Sequence, residues 1–368
     1  MINATNTSWL SKLALVTVLS VSAAHAEPYL AARTGFKCSQ CHLNKIGGGG
    51  RTEYGQAYTQ YKMLMEQSQE WVRESRPEGV SSFDPKLNNA VTIGANFRAE
   101  QSAFIKNGTA PGKNELGIAE ANLYVNVDLV KNFLSLYIDQ TMAPASANRE
   151  MWVMARNLPG NSYVRVGNTL LPYGLRLTDD QAFIRANTNY TYSNPAIAAE
   201  VGIEPGPVSF IANLSNTRLS TVGSVVHRRF RVGGSYSTDV KDAANQTFVT
   251  YGPFATANFG RFTMLGEVDF IKKANIADSL PDIKQMAHFY ELNFLAMQGL
   301  NLKGTYEYFD KNTSVANKHD GQDRMTFGIE TFPVEHLQLA LYYRINRFVP
   351  DNDGANQNLL LGRTQVFF

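Results

Sequence analysis

The sequence predicts a transmembrane antiparallel β-barrel of about 16 strands, with 14 the next count, preceded by a small segment of helices and loops. Three observations predict it. From about Asn89 onward apolar residues recur with a period of two, in runs approaching the roughly 9–11 residues of a tilted membrane strand. The connections fall into short and long sets, as on the two rims of such a barrel. After the first thirty residues no stretch is apolar for the about 20 residues that a membrane helix needs.

Taken from the N-terminus, residues 1–26 read as a secretory signal. Lys12 supplies its positive charge, Leu13 to Val21 its apolar run, and Ala24-His25-Ala26 a small-x-small cleavage site, so that the mature chain starts at Glu27. His25 leaves with the signal. Residues 27–85 form the small helical segment and residues 86–368 the barrel. The 34 Lys and Arg nearly balance the 32 Asp and Glu, and no nucleic-acid partner is expected from a net charge of +2.

The chain has two cysteines, and they stand together in Cys38-Ser39-Gln40-Cys41-His42. This is the C-x-x-C-H pattern of covalent haem attachment. One turn of chain brings two thiols to the two vinyl groups of one haem c, and the adjacent His42 becomes the proximal iron ligand. A redox dithiol or a zinc site would share the C-x-x-C, but the first needs a βαβ context and the second further ligands nearby. The second axial ligand is open. Met63 or Met65 is the first expectation, because Thr52 to Val72 reads as one helix able to fold back over the haem. His227, His288, His319 and His336 are the distant alternatives. The Gly47–Gly50 run either lets backbone pass close to the porphyrin edge or is a plain flexible loop. About sixty residues is small for an independent core, so the segment needs walls from elsewhere.

In the barrel, Ala119, Ala121, Leu123, Val125, Val127 and Leu129 alternate with Glu120, Asn122, Tyr124, Asn126 and Asp128. Similar alternation marks Phe262–Phe270, Leu300–Tyr308 and Leu337–Ile345. Short turns are expected at Lys131-Asn132, Pro205-Gly206-Pro207, Gly260-Arg261 and Pro333 to Glu335. Long polar loops are expected at Lys106–Asn114, Leu171–Pro195, Lys272–Lys284 and Lys311–Asp323. About fifteen strands can be marked, and the alternation breaks between Asn216 and Thr247, where one is hidden. The end Gln365-Val366-Phe367-Phe368 resembles the aromatic terminal signature of bacterial outer-membrane barrels.

A single C-x-x-C-H motif ahead of a porin-sized barrel resembles the fused monohaem cytochrome–porins of iron-oxidising bacteria. The local likeness runs from Pro28 to Tyr54, with Ala31-Ala32-Arg33-Thr34-Gly35 before the motif and Tyr54-Gly55 after it. The four glycines depart from the iron-oxidising members and leave open a sister family with another donor or acceptor. The resemblance implies an outer-membrane location with the N-terminus on the periplasmic side, and electron transfer through the haem. Its partners would be an extracellular donor or acceptor, ferrous iron first, and a periplasmic carrier such as a soluble cytochrome or copper protein. With ferrous iron as donor the chain would be an iron:cytochrome oxidoreductase. Lumen-side Glu120, Asp128, Asp139, Glu267, Asp269 and Glu291 are candidate cation-attracting groups, although charged residues ordinarily just solvate a porin interior. Arg98, Arg165, Lys303, Arg344 and Arg363 are also expected to face inward. A diffusion porin with a haem sensor or docking module is the second reading, with export of electrons to an external acceptor and a peripheral docking cytochrome behind it.

Overall fold

The computed structural model describes residues 27–66, 68, 70, 74, 84–106, 114–239, 248–274, 282–315, 321–348 and 357–368. The expected signal segment and His319 lie outside them. Sixteen antiparallel strands close into one barrel, each paired with its neighbours in sequence. The first half holds β1 (Val91–Lys106), β2 (Asn114–Val130), β3 (Leu134–Ala143), β4 (Ala147–Leu158), β5 (Ser162–Thr169), β6 (Ala196–Ile203), β7 (Val208–Ser215) and β8 (Arg218–His227). The second holds β9 (Phe230–Asp239), β10 (Phe248–Phe259), β11 (Phe262–Lys273), β12 (Ile283–Met297), β13 (Leu300–Asp310), β14 (Gln322–Val334), β15 (Leu337–Phe348) and β16 (Gln357–Phe367). β1 closes on β16, from Asn96 opposite Phe367 to Lys106 opposite Gln357.

The period-two pattern becomes an inside and an outside. Leu123, Leu129, Val166, Ile197 and Val201 are exposed on the outer face, while Glu120, Asn122, Tyr124 and Asn126 are buried inside. An apolar band of this extent is a liability in water and the normal surface of a barrel in lipid. The hidden strand lies where expected: β8 and β9 occupy the stretch between Asn216 and Thr247, joined by Arg228-Arg229. Its pattern is faint because the inward residues there are small, Ser220, Ser224, Ser235 and Ser237.

Turns after every even-numbered strand up to β14 share the rim at which β1 begins and β16 ends. Residues 131–133, 205–207 and 260–261 turn as expected, whereas the turn at Pro333–Glu335 moves to Glu335-His336 because β14 runs on to Val334. The connection expected as a long polar loop at Leu171–Pro195 behaves differently. Leu171, Tyr173, Leu175, Ile184 and Tyr190 in it are buried, as is Leu170 just before it. It turns into the lumen and carries a short helix (Phe183–Ala186) against β11, β12 and β13.

The lumen also holds the N-terminal segment, with α1 (Pro28–Thr34), α2 (Cys38–Cys41) and α3 (Glu53–Tyr61). Tyr29 is fully buried, and its hydroxyl donates to Glu330 on β14 at 2.8 Å. Asn44 donates to Glu150 on β4 at 2.7 Å, and the Gly50 amide donates to the Tyr137 hydroxyl on β3 at 2.7 Å. The single helix expected over Thr52–Val72 is not formed. α3 ends at Tyr61, and Met65 donates its amide to the Phe332 carbonyl of β14 at 3.1 Å instead of continuing a helical ladder. The buried side chains of Met63 and Leu64 anchor this break.

Candidate functional site

The C-x-x-C-H motif forms α2 and the residue after it, and it is locked from both sides. Lys37 and Gln40 cap the turn reciprocally, with the Lys37 amide donating to Gln40 Oε1 at 2.9 Å. The chain then returns alongside, so that Leu43 donates to the Gly50 carbonyl at 2.9 Å and Thr52 to the Cys41 carbonyl at 3.1 Å. α3 packs directly on the motif at Gly55, where a Cβ would stand 2.1 Å from the Cys41 carbonyl oxygen. Only glycine permits that approach.

The Gly47–Gly50 run follows a defined path against the wall. Gly47, Gly48 and Gly49 take φ values of 95°, 82° and 66°, in the left-handed region. A Cβ at Gly48 or Gly49 would strike the rings of Tyr192 and Tyr137. The glycines let the return strand lie against the aromatic wall, which fixes the motif above it.

Cys38, Cys41, His42 and Met63 open on one cavity, which holds about 1240 Å³ of space, part of it open to solvent. Leu30 and Ile46 of the plug, Leu175 of the inward loop, Ile211 of β7, Val222 of β8, Phe332 of β14 and Phe367 of β16 give it apolar walls. Lys37, Lys45, Arg51, Arg176 and Arg231 give it cationic ones, with Glu27 and Glu204 also in the lining. Both cysteines are free thiols, and Arg231 Nη1 lies 3.7 Å from Cys38 Sγ. Burial, with Cys38 adding to it, pushes the Cys41 thiol up to about 11.

The methionines separate. Met63 faces the cavity with His42. Met65 faces the wall, where its sulfur accepts from Thr331 Oγ1 at 3.4 Å. His227, His288 and His336 do not line the cavity. Sequence reasoning missed Arg51, Arg176, Tyr173, Phe332 and Phe367, which carry no local motif and come together only through barrel closure and the inward loop.

The lumen carboxylates are inside, as expected, but not as free groups in a hydrated channel. Asp139 pairs with Arg149 at 2.7 Å, Glu120 pairs with the same arginine, and Asp128 pairs with Arg156 at 2.6 Å. Glu267 accepts from the Leu175 amide at 2.6 Å, Asp269 from the Tyr173 hydroxyl at 2.8 Å, and Glu291 from Asn293 at 2.7 Å. Arg165 is buried against Glu200 at 2.7 Å, and Lys303 against Glu330 at 2.7 Å. These groups are engaged with the wall and with the two segments that fill the lumen.

Solved porins share the barrel. An anion-selective porin from Comamonas acidovorans matches with a TM-score of 0.61 at 11% identity, over 76% of this chain and 99% of that one. OmpT of Vibrio cholerae matches with a TM-score of 0.58 at 12% identity, over 77% and 99%. The outer membrane channel DcaP of Acinetobacter baumannii matches with a TM-score of 0.59 at 10% identity, over 78% and 100%. No family model and no curated protein matches the sequence. The fold is that of the sixteen-stranded outer-membrane porins.

Proposed function

We propose that the chain holds one covalent haem c in the lumen cavity of a bacterial outer-membrane barrel and passes electrons across that membrane. The observation that carries this reading is that Cys38, Cys41, His42 and Met63 converge on one cavity with apolar walls and a cationic border. That donor set fits a haem: two thiols one helical turn apart, an imidazole beside them, a thioether from another turn, and basic groups suited to carboxylates. A haem there supplies one-electron exchange at its iron.

The chain's own residues do the rest. Cys38 and Cys41 tether the group and His42 binds the iron. Met63, which lines the same cavity, would be a further candidate ligand. Phe332, Phe367, Leu175 and Ile211 give the cavity apolar walls, which strengthen the effect of nearby charges. The hydrogen bonds from Asn44, Gly50 and Tyr29 to the wall hold the motif in fixed register with the barrel. A bilayer core is about 30 Å thick, so a cytochrome hanging below the barrel would not reach across it. Short turns mark the periplasmic rim of outer-membrane barrels. On this reading the α2 end of the plug, where Lys37 binds the carbonyls of Glu204 and of Val208 at the start of β7, faces a periplasmic carrier such as a soluble cytochrome or copper protein. The outer vestibule faces an extracellular donor or acceptor, ferrous iron being the first to assay. Retention of haem on a denaturing gel by the natural chain, and its loss from the Cys38→Ala, Cys41→Ala variant, tests the reading. Haem extracted freely by acidified solvent would overturn it.

The porin fold favours a second reading, a diffusion porin whose haem segment senses or docks. It requires an open pore, and large stable conductance of the intact protein is its signature.

A further inference from the structure

Buried arginines in this lumen mostly pair with a wall carboxylate, and three among the described residues do not: Arg51, Arg176 and Arg185, the last of which donates to the Tyr173 and Leu175 carbonyls at 3.2 and 3.4 Å and does not line the cavity. Arg149, Arg165 and Arg324 are buried and each forms an ion pair with a wall carboxylate. Arg51 and Arg176 are as deeply buried, 7% and 5% exposed, and among the described residues neither pairs with a carboxylate. Arg51 lies over the Phe367 ring at 4.6 Å and makes no side-chain hydrogen bond to a described residue. Arg176 donates one bond, from Nη2 to the Leu171 carbonyl at 2.7 Å, lies over Tyr192 at 5.3 Å, and leaves Nε buried without a partner. Burial lowers both guanidinium groups to about 10. A buried charge without a counter-charge is among the costliest arrangements in a folded chain. Both arginines line the cavity that His42 faces.

We propose that Arg51 and Arg176 are the counter-charges for a pair of carboxylates brought in by the ligand, the two propionates of the haem. The inference rests on the haem reading above and adds its anionic anchor. Guanidinium forks suit carboxylates in two-bond geometry, and a desolvated pair of this kind is strong. The two come from different parts of the chain, Arg51 from the return strand beside His42 and Arg176 from the inward loop. The ligand would thereby tie the plug to the loop. Lys45 is no substitute, because it already faces Glu204 at 3.9 Å.

The test compares Arg51→Gln and Arg176→Gln, and the conservative Lys versions, in the full chain with haem and in the haem-free Cys38→Ala, Cys41→Ala background. With haem, each Gln variant should keep one haem per chain, shift the propionate bending band in resonance Raman spectra, lower the reduction potential and lower the temperature of heat-modifiable gel migration. The Lys variants should recover most of the potential. Without haem the sign of the thermal shift should reverse, because removing an uncompensated buried charge relieves the apo protein. An identical thermal shift in both backgrounds, with an unmoved propionate band, would overturn the clamp and leave the haem reading standing. A chain that takes up no haem when co-expressed with maturation machinery would overturn both. Inorganic phosphate is the arm for a free anion: stabilisation of haem-loaded protein by phosphate, abolished by Arg51→Gln, would contradict the propionate assignment.

Discussion

Two segments fill the lumen, and they are held by different chemistry. The N-terminal plug meets the wall mostly through side chains: Asn44 with Glu150, Tyr29 with Glu330, Ser39 with Glu204, and Glu27 with Lys303. The inward loop also uses side chains, Tyr173 and Asp179 among them, but adds its own backbone, as Leu170, Leu175 and Phe183 donate amides to Glu150, Glu267 and Glu307. A segment without regular secondary structure must find partners for its amides when buried, and wall carboxylates supply them. The plug satisfies most of its backbone in three short helices and a return strand, so its side chains remain free to carry a site. The loop contributes a lid and the plug contributes the chemistry.

The largest effect that would break this division comes from the motif. Cys38→Ala with Cys41→Ala should abolish covalent haem, read on a haem-stained denaturing gel. Retention of haem would move the chemistry elsewhere. Next, Met63→Ala should remove any methionine-linked near-infrared band and lower the potential, while Met65→Ala should leave the spectrum unchanged. The reverse result would show that the wall-facing methionine swings inward.

How far each segment was legible in the sequence follows from the same contrast. The barrel alternates because lipid and lumen impose opposite demands on successive residues, so its strands, rims and closure could be read directly. Cys38, Cys41 and His42 were legible because their chemistry needs fixed local spacing. The inward path of residues 170–195 was not, since its Asp, Asn and Thr residues look like a solvent loop and their partners lie on strands far along the chain. Nor was the helix break at Lys62, where a single bond from Met65 to Phe332 overrides a stretch with no Pro and no Gly after Gly55. The glycine run was visible, but its purpose depends on Tyr137 and Tyr192, which only the closed barrel brings near it.

A smaller effect sharpens the role of the loop. Asp179 ties it to β14 and β15. Burial would raise this carboxyl, but Arg344 and Arg324 outweigh burial and hold it well below the usual carboxylate range. A depressed folded-state value stabilises above the unfolded pKa of about 3.9 and is lost as pH falls through the folded one. Asp179→Asn should therefore cost roughly 1–3 kcal/mol near neutral pH. The gap from the natural chain should close as pH is lowered below about 4. An equal gap at all pH values, in the midpoint of heat-modifiable migration, would exclude the ionised pair. Smaller still, Tyr29→Phe removes one hydrogen bond to Glu330 and should cost about 1 kcal/mol. No measurable change would mean that ring packing alone seats α1.

The most direct measurement sets electron flow against ion flow in one preparation. Reconstituted in liposomes, the haem-loaded protein should pass electrons from an external reductant to a trapped acceptor, and the Cys38→Ala, Cys41→Ala variant should not. In planar bilayers the intact protein should conduct little. Deleting the plug should raise conductance only in part, because the loop still crosses the lumen, and deleting both should open the pore fully. Large, stable conductance from the intact protein, with no haem-dependent electron transfer in the liposomes, would contradict the account.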